Sequence, residues 1–177
     1  MAKQKWVVDA AHSSIDFSIK HMMVAKVKGS FHSIEASIDA DLEDLTTANI
    51  EFSVDVASID TRNGDRDNHL RSADFFDVEN NPKMTFKSTK IVKKNDSEYD
   101  VTGDMTIRGT TSPETFHVSY EGFGKDPWGN EKAGFSGQGA IKRSEYGLTW
   151  NAALETGGVL VGDQVQISIE IEAAKQA

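Results

Sequence analysis

Histidines and carboxylates are the side chains best suited to proton transfer near neutral pH, and this sequence crowds them into one stretch. Residues 66–82, RDNHLRSADFFDVENNP, gather Arg66, Asp67, His69, Arg71, Asp74, Asp77 and Glu79 around the apolar pair Phe75-Phe76. With His69 as a general base, Asp67 is the carboxylate that would orient it. The spacing speaks against that pair, because residues two apart on a helix point in different directions. Spacing of i, i+4 instead relates Asp65 to His69 and Asp67 to Arg71, which suits a short helix steadied by ion pairs.

The other histidines sit in strand-like surroundings. His117 lies between Phe116 and Val118, so alternation turns it outward. His32 falls where a strand changes phase and is expected to make a local backbone contact. His12 precedes the first long strand, at a turn or a rim. His21 shares the parity of Ile19 and is expected to face inward near a strand end, as structure or as a second candidate base. HxH, HExxH and EF-hand spacings are absent, as is a GxSxG nucleophile elbow. With no cysteine, disulfides, thiolate metal sites and cysteine nucleophiles are excluded.

The elements that must position these residues are strands. Ile15, Phe17 and Ile19 alternate with polar residues, as do Ile50, Phe52, Val54 and Val56, then Tyr99, Val101, Gly103, Met105 and Ile107. Residues 116–120 and 165–171 repeat the pattern, and further strands are expected at 6–9, 26–41, 84–92 and 133–143. The sum is about eight or nine antiparallel strands. Within 26–41 the inward parity passes from Val27 and Phe31 to Ile34, Ala36, Ile38 and Ala40, which predicts a bulge near His32-Ser33. Residues 44–47 read as a turn, residues 93–97 and 125–130 as hairpin loops, and Gly109 and Pro113 as the breakers of a turn after Ile107.

One apolar face per strand fits a two-sheet sandwich or a barrel. Long strands, the bulge and the in-strand glycines Gly29, Gly103 and Gly137 favour the barrel. Its inferred inner face carries aliphatic residues, Phe and Met without a row of charges, so an open lumen would take an apolar ligand.

The 177 residues are expected to form one domain, residues 1–177. A net charge of −9 argues against nucleic acid and against docking on anionic membranes by charge alone. No run of about 18 apolar residues offers a transmembrane segment. The N-terminal residues show no apolar h-region, so a cytoplasmic location is expected unless a leader has been removed.

Together these pieces resemble the YceI-like family of polyisoprenoid-binding proteins. The resemblance is carried by His12-Ser13, residues 15–19, His21 and residues 27–31, VKGSF. It continues through SIDT at 58–61, RDNHLRSADFFD at 66–77, Pro82 and Phe86, then GDMTIRGTT at 103–111 with Pro113, and RSEYGL at 143–148. Tyr146 stands where many members carry Phe, an exchange an aromatic wall survives.

The resemblance implies an all-β fold, an extended eight-stranded antiparallel lipocalin-like barrel with a short helix in the Asp65–Arg71 connection. It also implies a non-enzymatic protein that binds a long isoprenoid lipid, a prenylquinone or polyprenyl phosphate, with no metal or other cofactor. Strand parity and the motif then place the tail on Phe17, Ile19, Phe31, Phe52, Val54, Phe75, Phe76, Phe86, Met105 and Tyr120. His21, Asp67, His69 and Arg71 are the candidates for the head group or rim. Some relatives pair as homodimers, so a homodimer is carried beside the monomer. An enzyme acting on an apolar substrate and a solid, ligand-free barrel are the competing readings.

Overall fold

A computed structural model describes residues 3–151 and 160–176. Its strands are β1 (Gln4–Val8), β2 (Ser14–His21), β3 (Ala25–Phe31), β4 (Ile34–Asp41), β5 (Asp44–Asp55) and β6 (Ile59–Asp60). After helix α1 (Gly64–Arg71) come β7 (Lys83–Lys93), β8 (Glu98–Ile107), β9 (Thr110–Lys125), β10 (Glu131–Lys142) and β11 (Val161–Lys175). All pairings among them are antiparallel.

Around the wall the order is β1-β4-β5-β7-β8-β9-β10-β11, and β11 pairs back with β1, closing a ring. β11 is long enough to take two partners end to end: residues 173–175 pair with β1, and residues 161–170 with β2. β4 lies between β1 and β5, and β3 lies between β2 and β6. The segments are therefore eight staves, with β1–β2, β3–β4 and β5–β6 each a single stave broken once. This is the expected eight-stranded antiparallel barrel.

The three breaks lie side by side, since Phe31 pairs with both Ile15 and Ile59. They form one crease across three neighbouring staves, of which the sequence pattern reveals only the slip at His32-Ser33. Side chains meet the backbone groups that lose their ladder partners there. Ser58 Oγ accepts from the N–H groups of His32 and Ser33, both at 3.1 Å, and donates to the Asp55 carbonyl at 2.6 Å. Asp9 and Asp55 cap the short turns that follow them, accepting from Ala11 and Ala57.

Trp6, Ile38, Ala40, Leu45, Tyr99 and Ile171 pack together and plug the end nearest the chain termini. Above them the rings of Phe86 and Phe116 meet edge to face at 5.4 Å. Helix α1 and the turn between β2 and β3 lie at the other end. Asn63 caps α1, its side chain accepting from Arg66 N at 3.0 Å.

Three expectations need correction. Residues 44–47 begin β5, and the turn falls before them. Pro113 does not break the chain: it sits within β9 opposite Asp104. β10 pairs only with residues 117–125 of β9, so the missing Pro113 N–H interrupts no ladder on that side. Neither helical ion pair forms: Asp67 and Arg71 bond to the wall, and His69 pairs with Asp74.

Phenylalanine rings lie over glycines of neighbouring strands. A Cβ on Gly29 would sit 2.4 Å from Phe17 Cζ, and one on Gly139 2.5 Å from Phe116 Cδ1. At Gly103 a Cβ would meet the Lys87 carbonyl oxygen at 2.4 Å, which is backbone and cannot rotate away. Gly103→Ala should therefore destabilise by roughly 1–3 kcal/mol in urea unfolding. Gly124→Ala, with nothing within 4 Å of its Cβ, should cost far less.

The crease also carries a titrating clip. His12 Nδ1 lies 2.9 Å from Asp9 Oδ2 and 3.5 Å from Glu172 Oε2. The hydrogen bond to Asp9, followed by the charge of Glu172, raises the His12 pKa above 6.5. A raised folded-state value means the clip contributes fully below pH 6.5 and fades as pH rises through the folded value. An NMR titration should place the His12 midpoint above 6.5, and Asp9→Asn should bring it back down.

Candidate functional site

The barrel encloses a cavity of about 590 Å³, within the range of small-molecule sites. Period-two alternation builds its wall: Ile15, Phe17, Ile19 and His21 from β2 face Val165, Ile167, Ile169 and Ile171 from β11. Its floor is Ile38, Ala40, Leu45 and Tyr99, the top of the packed plug. No strand contributes a carboxylate or a lysine to the lining, and within the wall only Thr85 and Ser136 are polar. Tyr99 brings a phenol to the floor, and the other polar lining residues, His21, Asn63, Asp65, Arg66, His69 and Arg143, lie at the end covered by α1.

Nine of the ten apolar candidates line this space: Phe17, Ile19, Phe31, Phe52, Val54, Phe75, Phe76, Phe86 and Met105. Tyr120 does not. It shares the inward parity of Phe116 and Val118 but lies beside the plug, with its ring 5.4 Å from Phe135. Parity identifies the face of a strand and is silent about depth along the barrel.

His21 and His69 reach the lining; Asp67 and Arg71 do not. Buried Asp67 accepts from Thr61 N at 3.0 Å and from Thr61 Oγ1 at 2.5 Å. Arg71 donates to the carbonyls of Ala57 at 3.0 Å and Ile59 at 3.2 Å, and to Asn68 Oδ1 at 3.0 Å. These two residues, i and i+4, form the helix face that fastens α1 to the wall. Their engagement with the wall also explains why they do not pair with each other. Asp65 and His69 on the opposite face, with Arg66 and Leu70 beside them, reach the cavity. Arg66 is held by Thr61, through Nε to Oγ1 and Nη2 to the carbonyl, each at 2.8 Å. The i, i+4 relation of Asp65 and His69 was the signal that could have found this face.

The ring of His69 is boxed in. It stands edge-on to Phe75 at 5.1 Å and to Trp150 at 4.7 Å, while Phe75 and Trp150 lie 5.4 Å apart. Its Nε2 lies 2.9 Å from Asp74 Oδ2, so Asp74 rather than Asp67 is its carboxylate partner. Trp150 closes this side of the mouth, a role that nothing in the alternation pattern reveals.

Arg143 is the second residue missed. Its guanidinium is 5% exposed and donates to four backbone carbonyls: Gly162 at 2.7 Å, Leu148 at 2.6 Å, Trp150 at 2.9 Å and Val161 at 3.2 Å. Burial lowers its pKa, opposed by the nearby charge of Asp163. Beside it, fully buried Tyr146 donates to Glu114 at 2.8 Å, and desolvation pushes the Tyr146 hydroxyl well above the ordinary tyrosine range. Among the described residues Asp9, His12 and Glu172 bring three potential metal-ligand atoms together, but none of them lines the cavity.

A closed antiparallel ring around an apolar bore, with its polar groups collected at one end, defines a lipocalin-like barrel. Residues 6–173 match the family model described as a YceI-like domain, and the chain belongs to that family. A UPF0312 protein of Staphylococcus epidermidis is 46% identical over 169 residues, covering 95% of this chain and 96% of the relative. The crystal structure of BcnA from Burkholderia cenocepacia superposes with a TM-score of 0.82 at 27% identity, covering 93% of this chain and 98% of that one. A polyisoprenoid binding domain from Saccharophagus degradans shares the fold, with a TM-score of 0.74 at 12% identity over 97% of this chain and 98% of that one.

Arg143→Met should unfasten Leu148, Trp150, Val161 and Gly162. Four carbonyls lose a charged donor, so stability should fall by roughly 3 kcal/mol. Thermal melts followed by circular dichroism would read the loss. Tyr146→Phe, which strands only the part-exposed Glu114 carboxylate, should cost about 1 kcal/mol.

Proposed function

We propose that this protein is a non-enzymatic carrier or reservoir that holds a long-chain isoprenoid lipid in the barrel cavity. One observation carries the reading: the cavity wall is apolar except at Thr85 and Ser136, and charged groups occur only at the mouth. That distribution matches an amphiphile with a long apolar tail and one polar end. Each methylene or methyl buried would contribute about 0.8 kcal/mol, so the tail alone can supply affinity. Family membership and the polyisoprenoid binding of the Saccharophagus domain point the same way.

In this reading Phe17, Ile19, Phe31, Phe52, Val54, Phe86 and Met105 hold the tail, and Phe75 and Phe76 hold its outer part. His21 and His69, joined by Asn63, Asp65 and Arg66, meet a quinone or phosphate head group. Asp67 and Arg71 act one step back, by holding α1 in place.

Organic extraction of the purified protein with mass spectrometry, beside native mass spectrometry of the intact complex, should find an isoprenoid lipid in the cavity. A protein that carries none, and takes up neither prenylquinone nor polyprenyl phosphate when supplied, is not this carrier. Phe52→Asp places a carboxylate in the wall and should abolish retention while circular dichroism still reports a folded barrel. Normal retention by that variant would remove Phe52 from the tail site.

A further inference from the structure

The turn between β2 and β3 is built against its own backbone preference. Met22 and Met23 both adopt left-handed conformations, with φ of 54° and 64°, and Val24 N donates to the His21 carbonyl at 3.3 Å. Three residues, Met22 to Val24, join the paired His21 and Ala25, and two successive positive-φ positions in such a turn favour Asn and Gly. Methionine gains nothing there from the backbone, and much of its apolar side chain stays in solvent. Met22 is 49% exposed, Met23 55% and Val24 87%.

The rest of the hairpin is sorted into two faces. Ile19, His21 and Val27 point inward and line the cavity at its mouth. On the outer face Lys20 pairs in register with Lys26, and Lys28 lies opposite Ser18. Like charges directly opposite repel, and none of these exposed lysines forms an ion pair among the described residues. The hairpin's own carboxylate, Asp16, accepts from Ser30 at 2.6 Å near its far end. Asp163 on β11 is held by Ser144. Across the mouth, the α1 connection carries Asp65, Asp74 and Asp77. A chain of net charge −9 thus has three unpaired lysines around one exposed apolar tip, at the rim of an apolar cavity.

We infer that the β2–β3 hairpin is a membrane-docking tip, with Met22, Met23 and Val24 entering the interface of an anionic bilayer and Lys20, Lys26 and Lys28 meeting its head groups. An apolar point ringed by lysines is the chemistry of interfacial binding. The net negative charge does not forbid it, because charges farther than about 8 Å from the surface are screened at physiological salt. Instead it turns the acidic side of the mouth away and leaves the hairpin corner facing the lipid. Docking itself needs no cargo. Its use, to let a lipid pass between bilayer and cavity beside His21, rests on the carrier reading above.

The test is cosedimentation with vesicles of phosphatidylglycerol and phosphatidylcholine in equal parts, beside vesicles of phosphatidylcholine alone. The full chain should sediment with the anionic vesicles and be released by salt. Met22→Asn with Met23→Gly removes the apolar tip while installing the preferred turn residues, so misfolding does not account for a loss. Together with Val24→Ser it should weaken binding roughly tenfold or more. Each of Lys20→Gln, Lys26→Gln and Lys28→Gln should weaken it about fivefold. Trp128→Ala, which removes an 82%-exposed ring at the plugged end, should change nothing.

Failure to bind anionic vesicles, or tip variants that bind as well as the parent, overturns the inference. So does a Trp128→Ala loss without a tip loss, or a dimer in sedimentation velocity that the tip variant splits. Prenylquinone uptake from detergent micelles, measured in parallel, separates the two readings. Uptake without docking sinks only the tip, and docking without any cargo sinks only the carrier.

Discussion

An apolar space that the protein's own side chains do not fill must be held open by something other than packing across it. Atoms lining a void lack dispersion partners on one side, so the middle of this barrel contributes less than an ordinary core. Its stability rests on the two ends and on the hydrogen-bonded ring between them. The plug of Trp6, Leu45 and Tyr99 closes one end by close packing. At the other end fastening is polar, through Asp67, Arg71 and Arg143 to backbone groups of the wall and connections. An occupant of the cavity would restore the missing contacts and stabilise the fold by linkage.

The two ends divide the labour. Around the plug, buried apolar residues leave little freedom. At the mouth the same few residues must fasten the connections and leave an entrance, which is why charged groups gather there. Fastening and lining are divided within one eight-residue helix: Asp67 and Arg71 fasten, Asp65 and His69 on the far face line the cavity, and Arg66 does both. The crowding of charge in residues 66–82 is mostly fastening. What remains for a ligand is a narrow set of polar contacts beside a wide apolar surface.

Strand identity and the inward face were legible because one apolar side per strand leaves a period of two, and the wall from Phe17 to Met105 follows it. Depth was not legible: Tyr120 obeys the same parity as Phe116 yet lies against the plug. The crease was visible at His32-Ser33, where two apolar runs change phase. At residues 9–13 and 56–58 short turns interrupt the stave, and a turn leaves no phase to read. Arg143 and Trp150 escaped because their partners are backbone carbonyls and aromatic rings brought together only by the closed ring. On α1, residues 67, 69 and 71 look like one set in a strand-rich chain, whereas helical geometry separates 67 and 71 from 69.

The long strand β11 has a consequence for how the molecule is made. It pairs with both β1 and β2, so Trp6 waits for Lys175 and Ile15 for Ile169. On a ribosome the first strands emerge long before this partner, and they hold an unpaired edge until the final strand follows. The intervening sheet can zip together stave by stave, because each of its other pairings joins staves consecutive in sequence. Closure is then the last and least local step, and any delay in it leaves two strand edges exposed at once. A chaperone or a docking partner that covers residues 4–21 during synthesis would protect the nascent chain where it is most prone to pair with a second copy.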